Sequence, residues 1–237
     1  MTNTPHRWEK IRAANAALEA DARGKNRKAD HHAERPCRGR PGTHPPGTPH
    51  DRAPRNFTDP DRRIMKARDG FIQGYHAHAA VDADHQVIGA QGLTNQARDA
   101  HQLEPMLAHI RRNTGRQARE LSADAGYCSE HNLQALARRH VRGYVATGRQ
   151  PHGEASAVGR RKTVPRTRGH AMKLRLKRAG YRSRYRLRKP VVEPVFGQIN
   201  QARGVRQCLL RGLSQVAGEW SGVCRAHTVL KLAGARG

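Results

Sequence analysis

The sequence is short of acids and cysteines and has no long hydrophobic run, and each shortage excludes something. Only 19 Asp and Glu stand against 45 Lys and Arg, a formal net charge of +26. A soluble enzyme acting on a small neutral substrate needs no such surplus, so a polyanion is the economical partner, and nucleic acid is the commonest one. Cys37, Cys128, Cys208 and Cys224 form no C-x-x-C pair, and four scattered thiols in 237 residues read as reduced cytosolic side chains. No apolar run reaches 18 residues, and the opening MTNTPHRWEK lacks an apolar signal core. Neither membrane insertion nor export is expected, which predicts a cytoplasmic protein. Enough apolar material is present to fold: hydrophobic residues make up 36%, or about 44% with Gly counted and Tyr left out.

The charge is unevenly placed. Residues 56–147 hold 12 basic and 10 acidic side chains, whereas residues 148–190 hold 15 basic ones and a single acid, Glu154. An acid-bearing body beside an intensely basic stretch suits a catalytic core next to a phosphate-binding surface. The plainer alternative is a disordered basic linker over residues 148–168. His31, His32, His44, His50 and Cys37 lie in one tract, but its Pro and Gly content and irregular spacing argue against a zinc site.

Along the chain, residues 5–30 read as a polar helix with Trp8, Ile11 and Leu18 as its few apolar points. Six prolines between Glu34 and Arg55 mark a linker. The organisation is therefore a helical segment (1–33), a linker (34–55) and an α/β body (56–234) with a basic insertion at 148–190. Phe71 to Val81 alternates in part and predicts a strand, the DADH segment a turn, and Gln86 to Thr94 a second strand. Asp99 is expected at a helix N-terminus, followed by Leu103, Met106, Leu107 and Ile110 at helical spacing. Glu120 to Ala123 reads as a short strand, and Ser129 as the N-cap of a helix through His140. Val141 to Thr147 reads as a strand, and residues 186–203 and 214–233 as helices. The order implies helices packed on a mixed sheet.

Three acidic positions stand out by context: Asp59 in NFTDPDRR with Asp61 two residues on, Asp124 in LSADAGYCS, and Glu193 in KPVVEPVFGQI. Asp124 ends a strand before Ala-Gly, where a carboxylate projects without steric cover. Glu193 sits in an apolar helical stretch, where an unpaired carboxylate needs a reason. Carboxylates converging on Mg2+ would supply one. Each acid taken singly also fits an N-cap, a turn or an arginine partner.

At these residues the chain resembles a family. SADAGYCSEHNLQAL, RYRLRKPVVEPVFGQI and GEWSGVCRAHTVLKLA are similar to the catalytic half of bacterial insertion-sequence transposases of the DDE type. NFTDPDRRIMKARDGFIQGYHAHAAVDADHQVIGAQGLT resembles that family's early hairpin. The resemblance covers roughly residues 55–234. It implies an RNase H-like fold, three carboxylates holding two divalent ions (Mg2+ or Mn2+), and cleavage and transfer of DNA strands at element ends. Double-stranded DNA is the implied partner, with a homodimer in the synaptic complex.

Carried over residue by residue, the second acid falls on Asp124 and the glutamate on Glu193. The first acid, often in an Asp-Gly-Thr triplet that does not occur here, falls on Asp59 or Asp61, or is absent from this chain. The spacings of 65 and 69 residues, from Asp59 to Asp124 and from Asp124 to Glu193, suit a compact core. Tyr185, Arg186 and Lys189 precede the glutamate as phosphate contacts do in the family, with Arg182, Arg184 and Arg188 in the same basic run. Asn200 stands where the family has a lysine, which removes an expected phosphate contact, and the family's long helical N-terminal segment is matched by only about 55 mostly polar residues, as in a truncated or partly decayed copy. A non-catalytic basic DNA-binding remnant and a metal-dependent nuclease on the same fold are the competing readings.

Overall fold

A 27-residue helix, α1 (Thr4–Asp30), opens the chain, in keeping with its Ala, Glu, Arg and Lys content. The computed structural model describes residues 4–30, 48–49, 55–67, 70–96, 98–148, 167–179 and 188–235. These divide into two units, one ending at Gly74 and one beginning at Tyr75. In the first, Ala14 of α1 is buried while Trp8, expected as an apolar anchor, is 58% exposed. Charge ties α1 to the rest of that unit: Asp21 accepts from Arg55 at 3.3 Å and from Arg63 at 3.0 Å. Arg63 begins β1 (Arg63–Ala67), which forms an antiparallel hairpin with β2 (Gly70–Gly74) through Gly70 at φ 133°.

The strand predicted over 71–81 is broken at Tyr75. Its first half is β2, and its second half, β3 (His76–Val81), pairs antiparallel with β4 (Ile88–Thr94). Alternation reports that a segment is extended but not which ladder it joins, so two strands in different hairpins read as one. The predicted DADH turn is present. Asp82 Oδ2 accepts the N–H groups of Asp84 (3.2 Å) and His85 (2.9 Å), and the Asp82 N–H donates to Val87 O at 2.8 Å. Ala80 pairs with Ala90 but Val81 pairs with Ile88, so Gly89 is an extra residue in β4. This bulge turns Ile88 onto the face of Ala77, Ala79 and Val81.

The hairpin therefore has two distinct faces. Ala77, Ala79, Val81, Ile88 and Leu93 pack with Val195 of α5 (Arg188–Gly197), Ile199, and Trp220 and Cys224 of α6 (Leu213–Gly234). On the other face Gly92 lies under Met106 of α2 (Leu103–Thr114), where a Cβ would meet the methionine sulfur at 3.5 Å. Helices thus cover both sides, as an α/β order requires.

The short strand predicted at Glu120–Ala123 forms as β5 and pairs in parallel with β6 (Arg142–Val145). The crossover between them is α3 (Glu130–Arg138), capped by Ser129, whose Oγ accepts the Asn132 N–H at 3.1 Å. A second core gathers Leu103 and Leu107 of α2, Leu133 and Leu136 of α3, and Val141 and Val145. Met172 and Leu176 of α4 (Arg168–Ala179) complete it. The basic insertion is thus partly built into the core: α4 turns two apolar side chains inward, and Arg175 donates to Gly143 O at 3.2 Å. Of residues 148–168, the span of the linker alternative, 149–166 lie outside the described residues.

Among the described residues the strands form three two-stranded ladders, where one mixed sheet was expected. The helix predicted over 186–203 is α5 followed by a π-helical turn at Gln198–Ala202. Cys128, Cys208 and Cys224 are reduced thiols, and burial pushes that of Cys224 up to about 12. No described helix is long and apolar enough to cross a membrane.

Candidate functional site

Asp124 follows the last residue of β5 in extended backbone (φ −74°, ψ 170°), is exposed, and makes no side-chain capping bond to the 3-10 turn Ala125–Tyr127. A strand end of this kind presents a carboxylate at the border of a domain, where loops leave it accessible. The turn that follows is held from beneath by Asn132, which is 1% exposed. Asn132 Nδ2 donates to Tyr127 O at 2.8 Å and to Ala100 O at 2.7 Å. One buried amide therefore joins two turns, Ala125–Tyr127 and the 3-10 turn Asp99–His101.

The sequence predicts Asp99 at a helix N-terminus, and it opens the 3-10 turn that leads into α2, whose own N-cap is Gln102. The Asp99 carboxylate faces two ways. Oδ1 lies 3.1 Å from His76 Nδ1, and Oδ2 rests on Gly126, where a Cβ would collide with it. Glycine at 126 is thus a steric requirement of the Asp99 position. Tyr127 OH meets His78 Nδ1 at 2.6 Å, and the His76 and His78 rings pack edge to face with centroids 5.5 Å apart. Alternation along β3 places His76 and His78 on the face opposite Ala77 and Ala79.

Burial shapes the electrostatics. His78 is 4% exposed, and its pKa is lowered by that burial, which outweighs the raising effect of Asp99, with His76 lowering it further. Tyr127 is pushed above the usual phenol range by burial, then by the charges of Asp99 and Asp124, so it remains a neutral hydroxyl. His76, His78 and Asp99 offer one ligand atom each within 4.8 Å of one another, a set able to hold a metal ion. Sequence pattern alone does not reveal this cluster. Its one sequence signal was two histidines at i and i+2 on a strand, and nothing local linked them to Asp99.

The other acids fall as follows. Glu193 is exposed on α5, two residues before the fully buried Val195. Phe196 stacks on Trp220 with centroids 5.9 Å apart, anchoring that helix to α6. Glu193 thus belongs to the helical layer on the Ala77–Ala79 face, while Asp124 acts on Tyr127, whose partner His78 points from the other face. Asp59, in the first unit, is 2% exposed; its Oδ2 accepts from Arg62 Nε at 3.0 Å, and Asn56 Oδ1 accepts its N–H. Asp61 is exposed in the same turn. Of the phosphate-contact candidates, Arg182, Arg184, Tyr185 and Arg186 lie outside the described residues, as does the Arg188 side chain. Lys189 is exposed in the first turn of α5.

The geometry is thus that of a mixed α/β scaffold with an accessible carboxylate at the end of a short parallel strand, in a chain of formal charge +26. Residues 42–229 match the family described as Transposase DDE domain, and the chain belongs to that family. Neither a curated protein nor a solved structure matches it.

Proposed function

We propose that this chain performs DDE transposition chemistry, the metal-dependent cleavage of DNA strands and their transfer, with Asp124 and Glu193 as two of its acids. The observation that carries the reading is the family match over residues 42–229, which contains both residues. Their donor chemistry agrees: both are exposed carboxylates, the hard oxygen ligands that Mg2+ and Mn2+ prefer. Joint ligation requires α5 to bring Glu193 round to Asp124, and a pair of such ions would then supply positive charge to the attacking and leaving oxygens at a phosphorus centre. The first acid is Asp59, Asp61 or a residue absent from this chain. Asp59 is drawn to Arg62, so its service as a ligand requires that ion pair to open.

The chain's own residues have separable tasks. Asn132 fixes the turn after Asp124, and neutral Tyr127 closes that turn against β3 without adding charge beside the acid. The Val195 and Phe196 contacts set the helix that bears Glu193. Arg182, Arg184, Tyr185, Arg186, Arg188 and Lys189 are assigned to DNA phosphates, because the tract around them has 15 basic residues and one acid. The antiparallel hairpin, the parallel pair and the two helical layers support an RNase H-like arrangement. Double-stranded DNA is the substrate, and a second copy joins in the synaptic complex.

The test uses the full chain with Mg2+ or Mn2+ on supercoiled DNA and on DNA bearing element ends. Nicking and end joining are expected from the wild type, and loss of both from Asp124→Asn and Glu193→Gln with DNA binding retained. Glu193→Gln nicking at the wild-type rate would sink the assignment. Nicking without joining would reduce the protein to a nuclease, and binding with no nicking would leave only a DNA-binding protein. Asp59→Asn and Asp61→Asn, compared in the same assay, identify the first acid.

A further inference from the structure

We propose that His76, His78 and Asp99 form a binding site for one divalent transition-metal ion, with zinc the best match. The inference concerns different residues from the DDE acids and does not depend on the transposase reading.

Four features of the geometry point this way. His78 is 4% exposed and its Nε2 is buried with no hydrogen-bond partner, an arrangement native proteins avoid unless the atom serves a ligand. Its other nitrogen, Nδ1, is engaged by Tyr127 OH at 2.6 Å, the outer contact that typically orients a metal-binding imidazole and leaves Nε2 to ligate. His76 Nδ1 and Asp99 Oδ1 stand 3.1 Å apart without hydrogen-bond geometry. Ligand atoms about 2.0–2.1 Å from a tetrahedral ion are themselves about 3.3 Å apart, so this spacing is that of two ligands. Finally, Gly126 leaves the room that the Asp99 carboxylate occupies, where a Cβ would collide with it, and Asn132 ties the Asp99 turn to that of Tyr127.

The donor set selects the metal. Two imidazoles and one carboxylate favour zinc and its neighbours over Mg2+, which prefers oxygen and water. Three protein ligands leave a fourth position open. The His76 and Asp99 side chains are 39% and 27% exposed, so an entry path exists on their side while His78 forms the buried wall. One ligand atom from each of the three residues lies within 4.8 Å of the others, close enough to share a single ion.

The test takes the full chain stripped by chelator and titrates it with Co2+, followed by visible absorption, and with Zn2+ in competition with a chromophoric chelator. One equivalent with a tetrahedral Co2+ spectrum is expected, undisturbed by excess Mg2+. That equivalent should be lost in His78→Ala and Asp99→Asn, and bound at least about tenfold more weakly in Tyr127→Phe. His76→Gln, at a partly exposed position, gives the same readout should His78→Ala not fold. The chain has 15 His, so ions bound elsewhere will remain in every variant, and the difference of one equivalent is the measurement. Equal stoichiometry and affinity in His76→Gln, Asp99→Asn and wild type would overturn the proposal, as would a wild type that binds no Co2+. Asp124→Asn should keep the zinc equivalent while losing DNA cleavage, so failure of this site and failure of the transposase reading are separately visible.

Discussion

Removing the amide of Asn132 tests the architecture of the site directly. Its Nδ2 supplies both hydrogens to partly buried carbonyls, Ala100 O at 2.7 Å and Tyr127 O at 2.8 Å, from a side chain only 1% exposed. Each net hydrogen bond contributes about 0.5–1.5 kcal/mol, and a buried acceptor left unpaired costs about 1–3 kcal/mol, so Asn132→Ala should destabilise by about 2–4 kcal/mol. Asn132→Asp separates hydrogen bonding from volume. It is isosteric, yet at neutral pH it sets a carboxylate against two carbonyl oxygens, so it should lose as much or more. Burial and those oxygens raise the pKa of the new acid in the folded state, so its penalty is smallest at the acid end and grows as pH climbs above about 3.9. Urea unfolding at several pH values, with m unchanged, measures both effects. An Asn132→Asp variant within 0.5 kcal/mol of wild type at pH 7 would refute the view that this amide holds the two turns.

His227 is fully buried, in contact with Arg203 at its Nδ1 (2.6 Å) and with Gln86 O at its Nε2 (3.0 Å). Burial, assisted by the charges of Arg203 and Lys231, lowers its pKa against the opposing bond to Gln86, so the native state keeps it neutral. The unfolded chain takes up the proton near pH 6.5, so stability should fall as pH drops from about 6.5 toward the lower folded value. His227→Gln should flatten that decline in denaturant titrations, and superimposable profiles would contradict it. For the basic tract, DNA affinity should fall log-linearly with salt at about 0.9 per phosphate contacted. Replacing Arg182, Arg184, Arg186 and Arg188 by Gln should reduce the slope by up to about 3.6, read by fluorescence anisotropy across salt concentrations. An unchanged slope would assign those charges to a solvated face.

Short-range features of this protein were legible in its sequence. The Ser129 cap, the four-residue strand β5, the Asp82 turn and the long helix α6 each depend on groups within a few positions, where hydrogen-bond geometry and side-chain period leave few options. The acids Asp124 and Glu193 could likewise be singled out, because a carboxylate at a strand end or in an apolar stretch is conspicuous in one dimension. Tertiary structure alone decided how these pieces meet. It divided one alternating segment between two hairpins at Tyr75, rotated Ile88 across the sheet through the Gly89 bulge, and set the Asp99 carboxylate against His76. It also enclosed Asp59 with Arg62 and sank α4 of the basic tract into the core. The metal-ligating cluster brings residues 76, 78 and 99 together, and Asn132 stitches the 99 and 127 turns beneath it. No periodicity spans such separations: a period shows which face a side chain takes, whereas its partner across the fold is chosen by packing, where distant segments compete to bury the same surface.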